Sequence, residues 1–226
     1  MRGTTYTFGS SGLLFRSNKL MYDHQTNSLW SHLRGEPVVG PLARSGIRLT
    51  LLPVVVTSWR EWRATHPDTT VLDIKTGYER DYAPGRPYGR YFASPDTMFP
   101  VSPRSDQLRT KDLVFAVRLG ASHKAYPLET LQRIPVVNDR VGETNVVVLG
   151  QADPRTARAY ERGTITFQAG AGPGELIEAA TGVRWRVEEE RLVESSGGRT
   201  LRRLAGHVVY WFGWYAFYPD AEVYRP

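Results

Sequence analysis

Ser58-Trp59-Arg60-Glu61-Trp62-Arg63-Ala64-Thr65-His66-Pro67-Asp68 and, near the C-terminus, Tyr210-Trp211-Phe212-Gly213-Trp214-Tyr215-Ala216-Phe217-Tyr218-Pro219-Asp220 fit one pattern, W-x-x-W-x-A-x-[HY]-P-D. Two tryptophans, an alanine, a proline and an aspartate in one register point to an internal repeat. Each copy reads as a short helix. Ser58 followed by Glu61 is a capping box, with the serine oxygen facing the amide three residues on. Trp59, Trp62 and His66 fall on one helical face, and Pro67 stops the run. The second copy replaces Arg60, Glu61 and Arg63 by Phe212, Gly213 and Tyr215 and is apolar nearly all round, so it is expected to be buried or to sit against a partner.

Working outward, each helix follows a hairpin pattern. Leu20-Met21-Tyr22, a polar turn over residues 23–28, and Leu29-Trp30 form the first. Asp23, Thr26 and Trp30 align with Glu178, Thr181 and Trp185 at a constant offset, which marks residues 176–185 as the second. Ile47 to Val56 is rich in β-branched residues and leucine and reads as a strand, with Pro53 placing it at an edge or bulge. The expected fold is α+β and β-dominated: two related antiparallel-sheet half-units, each with a W-x-x-W helix packed on its sheet, in approximate two-fold symmetry. The expected divisions are a truncated first repeat (1–73), a turn-rich aromatic connector (74–110) and a complete second repeat (111–226), together one compact domain.

The second repeat carries residues 111–164 ahead of its hairpin, whereas the first begins almost at the hairpin. A segment of that size covers apolar surface on the order of 1,000 Å², with an upper bound of roughly 25 kcal/mol. A second copy of the chain, another subunit or sequence outside this chain is therefore expected to cover the first repeat.

Composition narrows the function classes. The 226 residues carry a net charge of +6, with arginines clustered at 155, 158, 162 and at 199, 202, 203. A solvated arginine-rich surface accounts for these clusters, and no nucleic-acid partner is expected. The chain has no cysteine, hence no disulfide, thiolate nucleophile or cysteine-type zinc site. No 18-residue apolar run and no apolar leader segment occur, so neither a membrane span nor a signal peptide is expected.

The chemistry-bearing residues are sparse. Gly9-Ser10-Ser11-Gly12 lacks the Lys-Ser/Thr ending of a phosphate loop and is one residue short of G-x-S-x-G, so it reads as a turn or a close-approach loop. Asp23, Thr26, Ser28 and Trp30 combine a carboxylate, hydroxyls and a large aromatic, the equipment of a polar ligand pocket. Ser11, Asn18, Tyr22, Asp23, Ser28 and Trp30 are the ligand-binding candidates. His24 and His32 flank the hairpin and are weak metal candidates; no cofactor is expected. With no complete catalytic constellation, the reading is a non-enzymatic binding or interaction module with a protein partner or a second copy. The alternative is a hydrolase or metal-dependent enzyme with a site near Ser11, Asp23 and His24.

Several strings carry a family resemblance: Phe8-Gly9-Ser10-Ser11-Gly12-Leu13-Leu14, Met21-Tyr22-Asp23-His24-Gln25-Thr26-Asn27-Ser28-Leu29-Trp30, Gly35-Glu36-Pro37-Val38-Val39-Gly40, residues 58–67, residues 76–82 and Lys124-Ala125-Tyr126-Pro127-Leu128. On these the chain resembles the domain of unknown function 3179 family over essentially its whole length. The resemblance implies an extracytoplasmic setting and no established activity. It also implies an upstream segment with a C-P-x-C-type motif, the counterpart of what the first repeat lacks; any thiol or metal chemistry of that motif is absent from this cysteine-free chain.

Overall fold

The computed structural model describes residues 3–83, 85, 86, 88–151, 155–172 and 174–226. Met1 and Arg2 of the N-terminal reading, and Pro84 and Pro87 of the turn-rich segment, lie outside the described residues.

The chain opens with a four-stranded antiparallel meander, β1 (Phe8–Phe15), β2 (Asn18–Asp23), β3 (Leu29–Ser31) and β4 (Glu36–Val39). Gly9, Ser10 and Ser11 lie inside β1, which bulges between Ser10 and Leu14, so the glycine-serine string is a bulged strand and not a turn, with the expected close approach at Gly9 beneath the Tyr22 ring. The turn falls at Arg16 and Ser17, both at positive φ, the geometry that a two-residue hairpin loop demands. Arg16 donates to the carbonyl of Ala216 at the far end of the chain and fastens this tip to the C-terminal helix.

Two short helices follow, α1 (Trp59–Thr65) and α2 (Gly89–Ala93). Ser58 Oγ accepts from the Glu61 amide at 3.3 Å, as the capping box predicts. The packing of α1 differs from expectation: none of its residues is buried. Nor does residues 47–56 join any sheet, because a β-prone run forms a strand only beside a partner edge. The Val54 and Val56 carbonyls are instead held by Arg203 Nη2 at 2.9 Å and Thr156 Oγ1 at 2.9 Å. Within residues 74–110, Tyr88 and Tyr91 both pack against Phe92, at 6.3 and 6.1 Å, and Tyr91 meets Tyr210 edge-on. Tyr78, Tyr82, Tyr88, Phe92 and Phe99 are exposed, while Tyr91 is half-buried with the Lys111 ammonium 3.5 Å from its ring centre.

From Leu113 onward the chain is densely packed. The elements are β5 (Leu113–Leu119), β6 (Ser122–Pro127), α3 (Leu128–Arg133), β7 (Val136–Val141), β8 (Thr144–Gly150), β9 (Ala157–Glu161), β10 (Phe167–Ala169), β11 (Glu175–Glu178), β12 (Arg184–Val187), β13 (Arg191–Glu194), β14 (Thr200–Leu204), β15 (Gly206–Tyr210), α4 (Trp211–Phe217) and β16 (Glu222–Val223). An eight-stranded sheet runs β10-β11-β12-β13-β14-β9-β8-β7. Its end strands meet at Asn138 of β7, whose carboxamide donates to the Phe167 carbonyl and accepts the Phe167 amide, both at 2.8 Å. The sheet thus curls back on itself around Val147, Leu149, Tyr160, Phe167, Leu176, Trp185 and Leu192.

The remaining sheet, β15-β5-β6-β16, is buried on both faces. Phe115, Val117 and Tyr126 meet α3 and the outer face of β7, β8 and β9. Val114, Ala116 and Ala125 meet Trp211, Trp214 and Ala216 of α4. Alternation along β5 sends successive side chains into two different cores, which accounts for its unbroken apolar run. The molecule is β-dominated with few helices, as expected, and its strands form sheets of four, eight and four.

Candidate functional site

The string Met21 to Trp30 is absorbed by the tip of the β2–β3 hairpin. Trp30 is buried, and its Nε1 donates to Asp23 Oδ2 at 2.8 Å. Asp23 Oδ1 accepts the Thr26 amide, and Oδ2 also accepts Thr26 Oγ1 at 2.9 Å. Ser28 Oγ lies 2.7 Å from Thr26 Oγ1 and accepts the Leu42 amide at 3.0 Å. Since Thr26 spends its proton on Asp23, Ser28 donates to Thr26, giving one relay from Leu42 through two hydroxyls to the carboxylate. Burial pushes the Asp23 carboxyl up, and the hydrogen bonds from Trp30, Thr26 and Ser28 outweigh it and hold it below its ordinary value. Asn27 takes positive φ, which asparagine tolerates. Gly40 is fixed by close approach: a Cβ there would stand 2.9 Å from Ser28 Cα.

The other candidates separate. Ser11 Oγ donates to the Leu20 carbonyl at 2.7 Å and accepts the Leu13 amide, pinning the β1 bulge. Tyr22 lays its ring over Gly9, where a Cβ would come within 2.6 Å of it, and Tyr22 packs against His24 at 5.0 Å. Asn18 lies beside Gly213 and lines a cavity of about 310 Å³ with Phe92, Leu113 and Tyr210. His32 Nδ1 is 3.0 Å from the Lys19 carbonyl. The structure therefore gathers Asp23, Ser28 and Trp30 into one closed network, holds Ser11 and Tyr22 at separate points of the same sheet, and places Asn18 at the C-terminal helix. Among the described residues no group of three or more histidine, aspartate or glutamate side chains is placed to hold a metal ion.

The second hairpin repeats the backbone of the first. Met21 faces Trp30 and Leu176 faces Trp185. The amides of Asp23 and Glu178 donate to the carbonyls of Ser28 and Val183, at 3.1 and 2.8 Å. Phe8 meets Trp30 edge-on at 5.3 Å and Phe167 meets Trp185 edge-on at 5.6 Å. The polar wiring differs: Glu178 pairs with Arg199 at 2.9 Å, which also holds Glu194 and lies over the Trp185 ring.

What the polar network leaves unexplained is the apolar surface. Every large apolar side chain exposed among the described residues lies between Leu13 and Phe99, and none lies in 111–226. Among these are the tryptophans of α1, with Trp59 46 % and Trp62 36 % exposed, against 1 % and 0 % for Trp211 and Trp214 of α4. Trp62 stacks on His66 at 3.9 Å and its Nε1 donates to Thr69 Oγ1 at 2.9 Å, contacts internal to the helix and its exit. Beneath α1 a cavity of about 570 Å³ is lined by Val55, Thr57, Trp62, His66, Arg158 and Glu189, among others. Arg158 Nη2 donates to Glu189 at 3.0 Å, and Arg203 pairs with the same carboxylate. Burial pushes the Glu189 carboxyl up, and these two guanidinium groups more than reverse it. The pattern of Trp59 and Trp62 was visible in sequence; their exposure was not, because exposure depends on what the helix lacks.

The family model described as protein of unknown function (DUF3179) matches residues 1–221. No curated protein and no solved structure matches the chain. No helix among the described residues is long and apolar enough to cross a membrane.

Proposed function

From the premise that the chain belongs to the DUF3179 family, we propose that it is a non-enzymatic interaction module whose working surface is the apolar face of residues 49–99, with α1 at its centre. The observation that supports this is the confinement of the exposed large apolar side chains, among the described residues, to Leu13–Phe99. Exposed apolar surface of this kind marks protein contact sites, and tryptophan and tyrosine are the side chains that most often dominate binding energy. The polar cluster around Asp23 has the opposite character. Its carboxylate, hydroxyls and indole N–H are spent on one another in the interior, and this favours a structural role.

The same reading carries a finer account of the architecture. Residues 1–73 and 111–226 descend from one duplicated unit, joined by 74–110. The matched registers of the two hairpins and the matched W-x-x-W helices support it.

Affinity capture with the full chain and with its Trp59→Glu, Trp62→Glu variant tests the proposal. The variant loses the Trp62–His66 stack and is expected to stay folded with a urea midpoint lowered by the equivalent of roughly 1 kcal/mol. A partner, or a second copy, held by the parent and lost by the variant supports the reading. A chain that stays monomeric and binds nothing, or a partner indifferent to the substitutions, overturns it.

A further inference from the structure

The C-terminal helix shows what an α1-type helix is built to sit on. The chain enters both helices through extended dihedrals, φ −79°, ψ 153° at Ser58 and φ −67°, ψ 143° at Tyr210. It leaves them through the same bend, φ −134°, ψ 70° at His66 and φ −132°, ψ 74° at Tyr218. The His66 amide donates to the Trp62 carbonyl at 2.8 Å and that of Thr69 to the His66 carbonyl at 3.2 Å; Tyr218 to Trp214 and Ala221 to Tyr218 repeat these bonds at 3.0 Å each. Trp62 stacks on His66 and Trp214 packs against Tyr218, at 3.9 and 4.4 Å.

The surroundings differ in one respect. The segments flanking α4 are β15 and β16, the outer strands of one sheet, and the β5–β6 hairpin fills the space between them. Val114, Ala116 and Ala125 of that hairpin cover the two α4 indoles. The amides of Trp211 and Phe212 donate to the carbonyls of Asp112 and Thr110, on the approach to β5. The segments flanking α1, Val54–Thr57 and Thr70–Leu72, belong to no sheet. The Val54 and Val56 carbonyls are held by Arg203 and Thr156, which leaves the opposite edge, at Val55 and Thr57, open to pairing. Among the described residues nothing accepts the Trp59 and Arg60 amides.

We infer that the occupant of this face is an antiparallel β-hairpin inserted between Val54–Thr57 and Thr70–Leu72, with small and β-branched side chains toward Trp59 and Trp62. The inserted pair is oriented as β5 and β6 are: its first strand antiparallel to Val54–Thr57, as β5 is to β15, and its second parallel to Thr70–Leu72, as β6 is to β16. Main-chain bonds supply the attachment and the indoles select the small side chains, the division of labour of strand addition. This rests on the interaction-module reading and narrows its partner to one chemistry.

The probe is a peptide with the sequence of residues 112–128, closed by a terminal disulfide and verified as a hairpin by NMR, added to the full chain. The expected result is loss of acrylamide quenching at Trp59 and Trp62, with amide exchange at Val55, Thr57 and residues 70–72 slowed by more than about tenfold, and both effects absent in Trp62→Glu. Quenching lost with exchange unchanged overturns strand insertion and leaves docking on α1 intact. Neither effect, with a verified hairpin, overturns the inference, while capture of a partner sensitive to Trp62 would still uphold the broader reading. A concentration-dependent dimer that shields Trp59 and Trp62 without any peptide assigns the face to a second copy and overturns the inserted hairpin as its occupant.

Discussion

Replacing Trp62 and Trp214 by alanine, one at a time, separates a helix that is covered from one that is not. The two residues occupy the same position of the same motif, so helix propensity and local geometry cancel in the comparison. Trp214 is fully buried between β5, β6 and Tyr218. A buried tryptophan removes up to about 250 Å² from water, an upper bound of roughly 6 kcal/mol; buried aromatic-to-alanine changes cost about 3–5 kcal/mol. Its indole N–H has no partner among the described residues, so removing it strands no acceptor. Trp62 is about a third exposed, and its named contacts are the His66 ring and Thr69. An aromatic pair contributes about 0.5–1.5 kcal/mol, so Trp62→Ala should cost roughly 1 kcal/mol. Urea unfolding of the purified chain reads both. Trp214→Phe, which leaves a smaller void, provides the measurement if Trp214→Ala does not fold. Equal costs at the two positions would refute the assignment of α1 as uncovered.

Three further outcomes follow from the polar groups. Asp23→Asn should cost about 2 kcal/mol, since the carboxylate accepts from the Trp30 indole, the Thr26 amide and the Thr26 hydroxyl. The folded Asp23 carboxyl titrates below its unfolded value of about 4. Its stabilisation is therefore present above pH ~4 and lost as pH falls through the folded value, and the substitution should remove that part of the acid slope. His207 is held neutral, first by burial and then by His32 and Arg118. Its contribution is full above pH ~6.5 and is lost as pH falls below that value toward the folded one, by at most about 1.4 kcal/mol per pH unit; His207→Gln should flatten urea stability between pH 7 and 5. Asn138→Ala breaks the two bonds that join β7 to β10 and should cost about 2–3 kcal/mol, with amide exchange quickened at Phe167.

Elements defined by local chemistry were legible in the sequence. The Asp23-Thr26-Trp30 spacing places the hairpin because a carboxylate, a hydroxyl three residues on and an indole seven residues on close over one turn. Ser58 and Glu61 mark the start of α1, and Pro67 its end, for equally local reasons. Long-range closure was not legible. Asn138 sits in an otherwise strand-like run, and nothing nearby reveals that its amide joins two strands 29 residues apart. The turn at Arg16 and Ser17 lacks the usual glycine or asparagine; an arginine contact 200 residues away holds its tip to α4. Residues 47–56 have the composition of a strand and no strand beside them, and pairing is a property of the neighbour, not of the run. For the candidate site, the sequence identified the Asp23 cluster as a place where polar groups meet, but burial, which decides between a pocket and a closed network, lies in the packing of Trp30 and Gly40.

The six tryptophans supply the most direct measurement of the central claim. Hydroxyl-radical footprinting of the isolated monomer, read residue by residue, should find Trp59 and Trp62 labelled and Trp30, Trp185, Trp211 and Trp214 protected, in line with their burial. Protection of all six in a verified monomer would contradict the account, because α1 would then already be covered by its own chain and no face would remain for a partner.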